Sequence, residues 1–172
     1  MPELETQFGV RCGPLTIKVD LSDPGESRGG STSSSGITLF HRALAWLPGV
    51  LAHELAHWLL HWRKGSWNTL PIVIEEGLAM VAFHRFSATD PPSASLGDCD
   101  IAGVLRLTHE EYNKHPDVRS VTSCGVAIAQ DLGLERLREL CRRAHQDGLE
   151  TLPVDWVLEA LASAETKGLN GE

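Results

Sequence analysis

Apolar and polar residues alternate in two short stretches near the beginning of the chain. PLTIKVD (14–20) has the alternation of a half-buried strand, and GITLF (36–40) is a second, shorter candidate. The stretch between them is rich in Gly and Ser, too polar to bury and too flexible to be regular. We therefore predict two strands joined by an exposed loop.

From residue 41 onward the apolar positions follow a helical spacing. Pro48 suits the first position of a helix and Gly65 suits its stop, which predicts a helix over 48–64. Intervals of three and four residues give this helix the apolar stripe of a core-packed element, formed by Leu51, Leu55, Trp58, Leu59 and Trp62.

A second helix is predicted from Pro71 to about residue 86. The two prolines in SATDPPSASLGD (87–98) bar a helix there, so this stretch is predicted to be a loop.

The last third of the chain predicts a series of short helices, at 100–114, 119–132, 134–147 and 153–163. Gly133 and Gly148 are the natural stops in this series, and Pro153 is a natural start. Strands followed by helices predict an α+β fold, and a length of 172 residues predicts a single domain, 1–172.

Charge and composition narrow the classes of partner. A net charge of −8 disfavours a nucleic acid. No apolar run approaches the roughly 18 residues that a membrane span needs, so no membrane partner is expected. The start, MPELETQFGV, has acidic residues where a secretory signal would be basic, which favours a cytoplasmic protein.

The cysteines carry no pairing signal. The chain has four cysteines, which are scattered along it without any C-x-x-C spacing. This pattern argues against a zinc ribbon or a dense disulfide framework, and free buried thiols are the expectation.

The sequence LAHELAHWLL (51–60) carries the strongest chemical signal. His53 and His57 are four residues apart, so on a helix both imidazoles project from one face and can bind one metal ion. Glu54 is rotated by about 100° around the helix axis from His53, a position from which it can take a proton from water rather than ligate the metal.

A catalytic tetrahedral zinc needs a third protein ligand and one open position. Glu76, in IVIEEGLAMVAF, follows His57 by nineteen residues, which leaves enough chain for a turn and a second helix that returns to the histidines. Glu75 is the nearest competitor for this role. A set of two histidines and one glutamate suits zinc best among the common metals.

HELAH followed by EEGLA resembles the gluzincin zinc metallopeptidases, in which the Glu of a Glu-Gly pair is the third ligand. The C-terminal third is similar to the helical tail of small bacterial peptidase-MA-like domains. HELAHWLLH is also similar to regulatory zincins that cleave transcriptional repressors. The resemblance covers roughly residues 36–148, of which only the two short motifs are specific.

The resemblance implies a zincin-like α+β fold, in which a small N-terminal β-sheet packs on the motif helix and the C-terminal half is helical. GITLF would be the edge strand of this sheet, where an extended substrate could add. His53, His57 and Glu76 would be zinc ligands. Glu54 would be the general base that takes a proton from the zinc-activated water and hands it to the leaving amine.

The chain departs from the family in one part of the site. Relatives commonly place a Tyr or His just ahead of the helix that is predicted here to begin near residue 119, and PDVRSVTSCG has no Tyr. Tyr112 or His115 is the candidate for the oxyanion donor. The signature that anchors a free N-terminus in aminopeptidases is not visible, so exopeptidase action is not supported.

The sequence therefore predicts a zinc metallopeptidase that hydrolyses peptide bonds in a peptide or protein substrate. Two alternatives stay open: a non-catalytic, zinc-stabilised regulatory or interaction module, and a zincin specific for one regulatory protein. The retained Glu54 favours an enzyme, whereas the missing Tyr favours the non-catalytic module. The oligomeric state is left open.

Overall fold

A computed structural model describes residues 15–21, 29–33, 35–40, 46–62, 69–91 and 95–168. The described elements are, in chain order, the strands β1 (Ile17–Asp20), β2 (Gly30–Ser33) and β3 (Gly36–Phe40), and the helices α1 (Leu47–His57), α2 (Ile72–Ser87), α3 (Ile101–Leu105), α4 (His109–Asn113), α5 (Val118–Gln146) and α6 (Val154–Gly168). The fold is therefore α+β, with one small sheet and mostly helical structure, as predicted.

The chain divides into two compact units. One consists of Met1–Lys64 with Ala79–Pro91, and the other of Gly65–Leu78 with Pro92–Glu172. Helix α2 is continuous and contributes residues to both units. Neither unit is a single uninterrupted segment, and the single domain 1–172 stays a prediction.

The sheet has the strand order β1-β3-β2. Strand β3 pairs in parallel with β1 and antiparallel with β2. The strand prediction for GITLF is confirmed, but its expected place at the edge is wrong. Strand β3 is central because part of the Gly- and Ser-rich stretch forms β2 beside it.

Two further expectations for this region are corrected by the structure. The stretch between the predicted strands is not entirely a loop, because each residue of β2 lies opposite a residue of β3 and backbone pairing stabilises it. Strand β1 is not half-buried, since all four of its residues are exposed. Alternation in sequence predicts a buried face only where another layer covers that face.

Helix α1 carries the His-Glu motif and packs beneath the sheet. Strands β2 and β3 both contact it, and Leu55 is only 5% exposed. The regular helix ends at His57, and a π-helical turn continues over Trp58–Trp62. The start predicted at Pro48 is correct to within one residue, whereas the predicted stop at Gly65 lies outside the described residues.

Helix α2 follows the prediction of 71–86 closely. It crosses α5 at two glycines, because a Cβ on Gly77 would lie 2.3 Å from the carbonyl carbon of Gly125. A Cβ on Gly125 would lie 2.0 Å from the carbonyl oxygen of Val73. The two backbones approach each other this closely only because neither residue has a side chain.

The predicted helix 100–114 is in fact two helices. Thr108 interrupts it, since its side chain and that of Glu111 form a capping box that starts α4. The predicted stops at Gly133 and Gly148 are confirmed, because both residues have a positive φ, of 69° and 70°. Gly133 divides α5 at the predicted position.

The cysteine prediction is wrong for one pair. Cys99, which follows a short 3-10 turn at Leu96–Asp98, forms a disulfide with Cys124 of α5. Cys141 is a buried free thiol, as expected, and Cys12 lies outside the described residues. Cytoplasmic proteins rarely keep structural disulfides, and the cytoplasmic location stays a prediction. Within the described part of the chain, no helix has the length and apolarity to cross a membrane.

Candidate metal centre

His53 and His57 lie one turn apart on α1, and their side chains converge. The Nε2 atoms are 3.1 Å apart, and the rings meet edge to face at an interplanar angle of 77°. Ala52 and Ala56 of the same helix are buried, so the histidine pair is carried on a helix whose other face is fixed in the core.

Glu76 completes a group of three possible ligands. One ligand atom from each of His53, His57 and Glu76 lies within 4.8 Å of the other two. Glu75, the competitor considered from the sequence, is not part of this group. Glu76 stands next to Gly77, so the close crossing of α2 and α5 at Gly125 fixes the position of this turn of helix α2.

The group could hold a metal ion, and the spacing of its two histidine nitrogens fits zinc. Zinc binds imidazole nitrogen at about 2.0–2.1 Å, and two nitrogens at tetrahedral angles are then about 3.3 Å apart. The separation of 3.1 Å between the two Nε2 atoms is close to this value. Two imidazoles and one carboxylate leave one position of a tetrahedral ion for a further ligand, which is the arrangement of catalytic sites rather than of closed structural ones.

Glu54 is buried beside the histidines, with 6% of its surface exposed. Strand β2 covers its side chain. Thr32 Oγ1 lies 2.6 Å from Glu54 Oε2 and 3.0 Å from the backbone carbonyl oxygen of Glu54. Buried carboxylates require hydrogen-bond donors, and the Thr32 hydroxyl is one.

A cavity of about 280 Å³ opens next to Glu54. His53 and Glu54 form its polar part, and Gly29, Gly30, Val50, Met80 and Phe83 form the remainder. The pocket is thus mostly apolar with two titratable groups at one side, a combination that is typical of small-molecule and side-chain binding sites.

The negative charge of Glu76 affects the pKa of Tyr112. The tyrosine is 6% exposed, and its hydroxyl lies 2.6 Å from Thr122 Oγ1. Burial, and then the negative charge of Glu76, raise the pKa of Tyr112 to about 12, while the hydrogen bond with Thr122 acts in the opposite direction. The phenol therefore stays protonated at neutral pH.

His115 lies in a different environment. Its Nδ1 accepts a hydrogen bond from the backbone N–H of Asp117, at 3.2 Å. It lines a shallow pocket with Lys114 and Pro116, and none of the three candidate metal ligands lines that pocket. The structure does not group His115 with the metal ligands, and its role stays a prediction.

Sequence analysis missed the contribution of β2 to this site. Gly30 and Thr32 belong to the stretch that the sequence predicts to be a loop, and nothing in its composition points to Glu54. The contact is between residues 22 positions apart in the chain, so only the pairing of β2 with β3 brings it about. Thr122, the partner of Tyr112, likewise has no local signature.

Comparisons with protein-family models, with curated proteins and with solved structures found no match for this chain.

Proposed function

We propose that this protein is a zinc-dependent metallopeptidase with a zincin-like fold. The observation that carries the proposal is the grouping of ligand atoms from His53, His57 and Glu76 within 4.8 Å. The buried carboxylate of Glu54, next in sequence to His53, adds a base where a purely structural metal site would need none.

Each of the four residues has a role in this proposal. His53, His57 and Glu76 hold the metal. Zinc, when bound, supplies Lewis acidity that polarises the scissile carbonyl and acidifies the attacking water. Glu54 takes a proton from that water and passes it to the leaving amine.

Tyr112 is the better candidate of the two for the oxyanion donor. The charge of Glu76 contributes to the raised pKa of Tyr112, which means that the tyrosine lies near a proposed metal ligand. A protonated donor near the developing negative charge stabilises the transition state. His115 has no comparable link to the three ligands.

The surroundings of Glu54 favour a peptide or protein substrate. The apolar walls of the adjacent pocket, formed by Val50, Met80 and Phe83, suit a hydrophobic side chain next to the scissile bond. Among the strands that the structure describes, β2 is an outer strand of the sheet. An extended substrate could add to such a strand through backbone hydrogen bonds.

One observation favours a non-catalytic zinc module as the second candidate. Tyr112 is 6% exposed, and its hydroxyl is already engaged by Thr122. A buried, hydrogen-bonded phenol must reorient before it can reach a substrate oxygen. In such a module the metal would stabilise a surface that binds a partner.

Mass spectrometry of a diverse peptide pool tests the proposal. Zinc-loaded parent protein and the Glu54→Gln variant are incubated with the pool under identical conditions. We expect cleavage products from the parent that are absent with the variant, with apolar residues enriched beside the cut. If neither protein cuts any peptide while both bind zinc, a general metallopeptidase is excluded, and the zinc module and a zincin specific for one regulatory protein take its place.

A further inference from the structure

We propose that Thr32 is a positioning residue for Glu54, and that Gly30 provides the space in which the Glu54 carboxylate is held. Strand β2 would thus set the orientation of the general base. This inference rests on the proposed function, because it assigns a purpose to the carboxylate that the metallopeptidase reaction uses.

The contact between Thr32 and Glu54 has the length of a charge-assisted hydrogen bond. Thr32 Oγ1 is 2.6 Å from Glu54 Oε2, within the range of about 2.5–2.7 Å for a hydroxyl that donates to a carboxylate. The same oxygen lies 3.0 Å from the backbone carbonyl of Glu54. The hydroxyl has one proton to donate, and the shorter distance assigns it to the carboxylate.

Gly30, two residues before Thr32 in β2, lies beside the same carboxylate. A Cβ at this position would lie 2.8 Å from Glu54 Cγ and 2.9 Å from Glu54 Oε1. Real Cβ atoms do not come this close to other atoms, so any larger residue would displace the Glu54 side chain. Thr32 therefore bonds one oxygen of the carboxylate, and the space left by the missing side chain of Gly30 accommodates the other.

Strand pairing explains why residues 30 and 32 act together. Side chains two residues apart in a strand lie on the same face, and the burial of β2 alternates accordingly, with Gly30 and Thr32 less exposed than Ser31 and Ser33. Gly30 is paired with Leu39, and Thr32 with Ile37. Both partners are buried in the core, at 3% and 1% exposure, so this register is firmly set.

Accurate placement matters for a general base. A misplacement of about 1 Å can cost about 100-fold in rate, because proton transfer requires the acceptor within hydrogen-bond reach. A residue that only orients the base should therefore influence turnover without influencing metal binding or substrate affinity.

The test compares Thr32→Val, which has nearly the same shape without the hydroxyl, with Thr32→Ser, which retains the hydroxyl. Thr151→Val makes the same chemical change at an exposed position outside the helices and strands and serves as the matched control. Gly30→Ala is a second probe, which retains the hydroxyl but occupies the space of the carboxylate. Four quantities are measured: kcat, KM, zinc content and the orientation of Glu54 in crystals of each zinc-loaded protein.

We expect kcat to fall about 10- to 100-fold in Thr32→Val and in Gly30→Ala, with zinc content unchanged in both. KM should stay within about threefold in Thr32→Val, whereas Gly30 also lines the pocket beside Glu54, so only kcat is decisive for Gly30→Ala. Thr32→Ser should recover most of the rate, and Thr151→Val should match the parent. The crystals should show the Glu54 carboxylate rotated in the two impaired variants.

Unchanged kcat in both Thr32→Val and Gly30→Ala would overturn the inference, as would a Thr32→Ser variant no better than Thr32→Val. If the parent protein itself cuts no peptide, the proposal of a general metallopeptidase fails instead. In that case the crystal structures test the inference by themselves. A rotated Glu54 side chain in Thr32→Val supports positioning by Thr32, and an unmoved Glu54 side chain overturns it.

Discussion

Gly77 and Gly125 pack against each other through their backbones. A Cβ added to Gly77 would lie only 2.3 Å from the carbonyl carbon of Gly125. The contact lies one residue after Glu76 and one residue after Cys124. The position of a candidate metal ligand therefore depends on two residues that have no side chain, in addition to the residues that carry the chemistry.

Replacement of Gly125 by Ala tests this dependence. The added Cβ would lie 2.0 Å from the carbonyl oxygen of Val73, so α2 and α5 must separate. We expect the free energy of unfolding to fall by about 3 kcal/mol, at the upper end for overpacked sites, as measured by urea denaturation.

Gly97→Ala is the matched control for this experiment. Gly97 is exposed, and a Cβ there would lie 3.5 Å from Ser95 Oγ, an ordinary contact. We expect this variant to change the free energy of unfolding by less than about 0.5 kcal/mol. Equal losses in the two variants would show that the crossing of α2 and α5 is not as close as described.

The titration of Tyr112 can be followed without interference, because it is the only tyrosine in the chain. In the zinc-free protein, we expect the absorbance of tyrosinate to appear with a midpoint near the raised pKa of about 12 rather than near 10. After unfolding in denaturant the midpoint should return to about 10. A midpoint near 10 in the folded protein would contradict the burial of this side chain.

The same pKa makes stability depend on pH. The folded state retains the phenolic proton more strongly than the unfolded state, so this stabilisation is complete below pH 10 and is lost as the pH rises from about 10 to about 12. Tyr112→Phe should therefore be less sensitive than the parent to pH in this range, as measured by thermal melting.

The disulfide between Cys99 and Cys124 should contribute measurably to stability. It closes a loop with a sequence separation of 25 residues, for which loop-closure entropy gives roughly 3–4 kcal/mol. We expect reductant, or Cys99→Ser, to lower the free energy of unfolding by up to this amount. Cys141→Ala is the control, and reductant should lower its free energy of unfolding as much as that of the parent. If reductant does not change the stability of the oxidised parent, the disulfide is excluded.

The parts of the fold that local signals determine could be predicted from the sequence. Gly133 and Gly148 end helices because a positive φ suits glycine, and prolines mark helix starts wherever their missing N–H has no cost. The spacing of His53 and His57 placed both on one helix face because the period of an α-helix is fixed. Glu76, the third residue of the candidate metal site, could be predicted from its distance along the chain and a family resemblance.

The missed features depend on contacts between distant residues. Strand β2 has no apolar alternation and forms because β3 lies beside it. The Cys99–Cys124 bond requires the 3-10 turn to lie against α5, and the placement of Thr32 over Glu54 requires the whole sheet. The start of α4 was different, since Thr108 and Glu111 have the spacing of a capping box and could have been recognised.

The most direct test of the account is the zinc affinity of the parent protein beside Glu76→Gln and Glu75→Gln, measured by metal analysis and competition with a chelator. The account predicts one zinc ion per chain in the parent and in Glu75→Gln. In Glu76→Gln the affinity should fall by more than about 100-fold, because loss of a direct ligand costs more than loss of an outer partner. Equal zinc affinity in Glu76→Gln and the parent, or no zinc in the parent, would contradict the assignment of His53, His57 and Glu76 as one metal site.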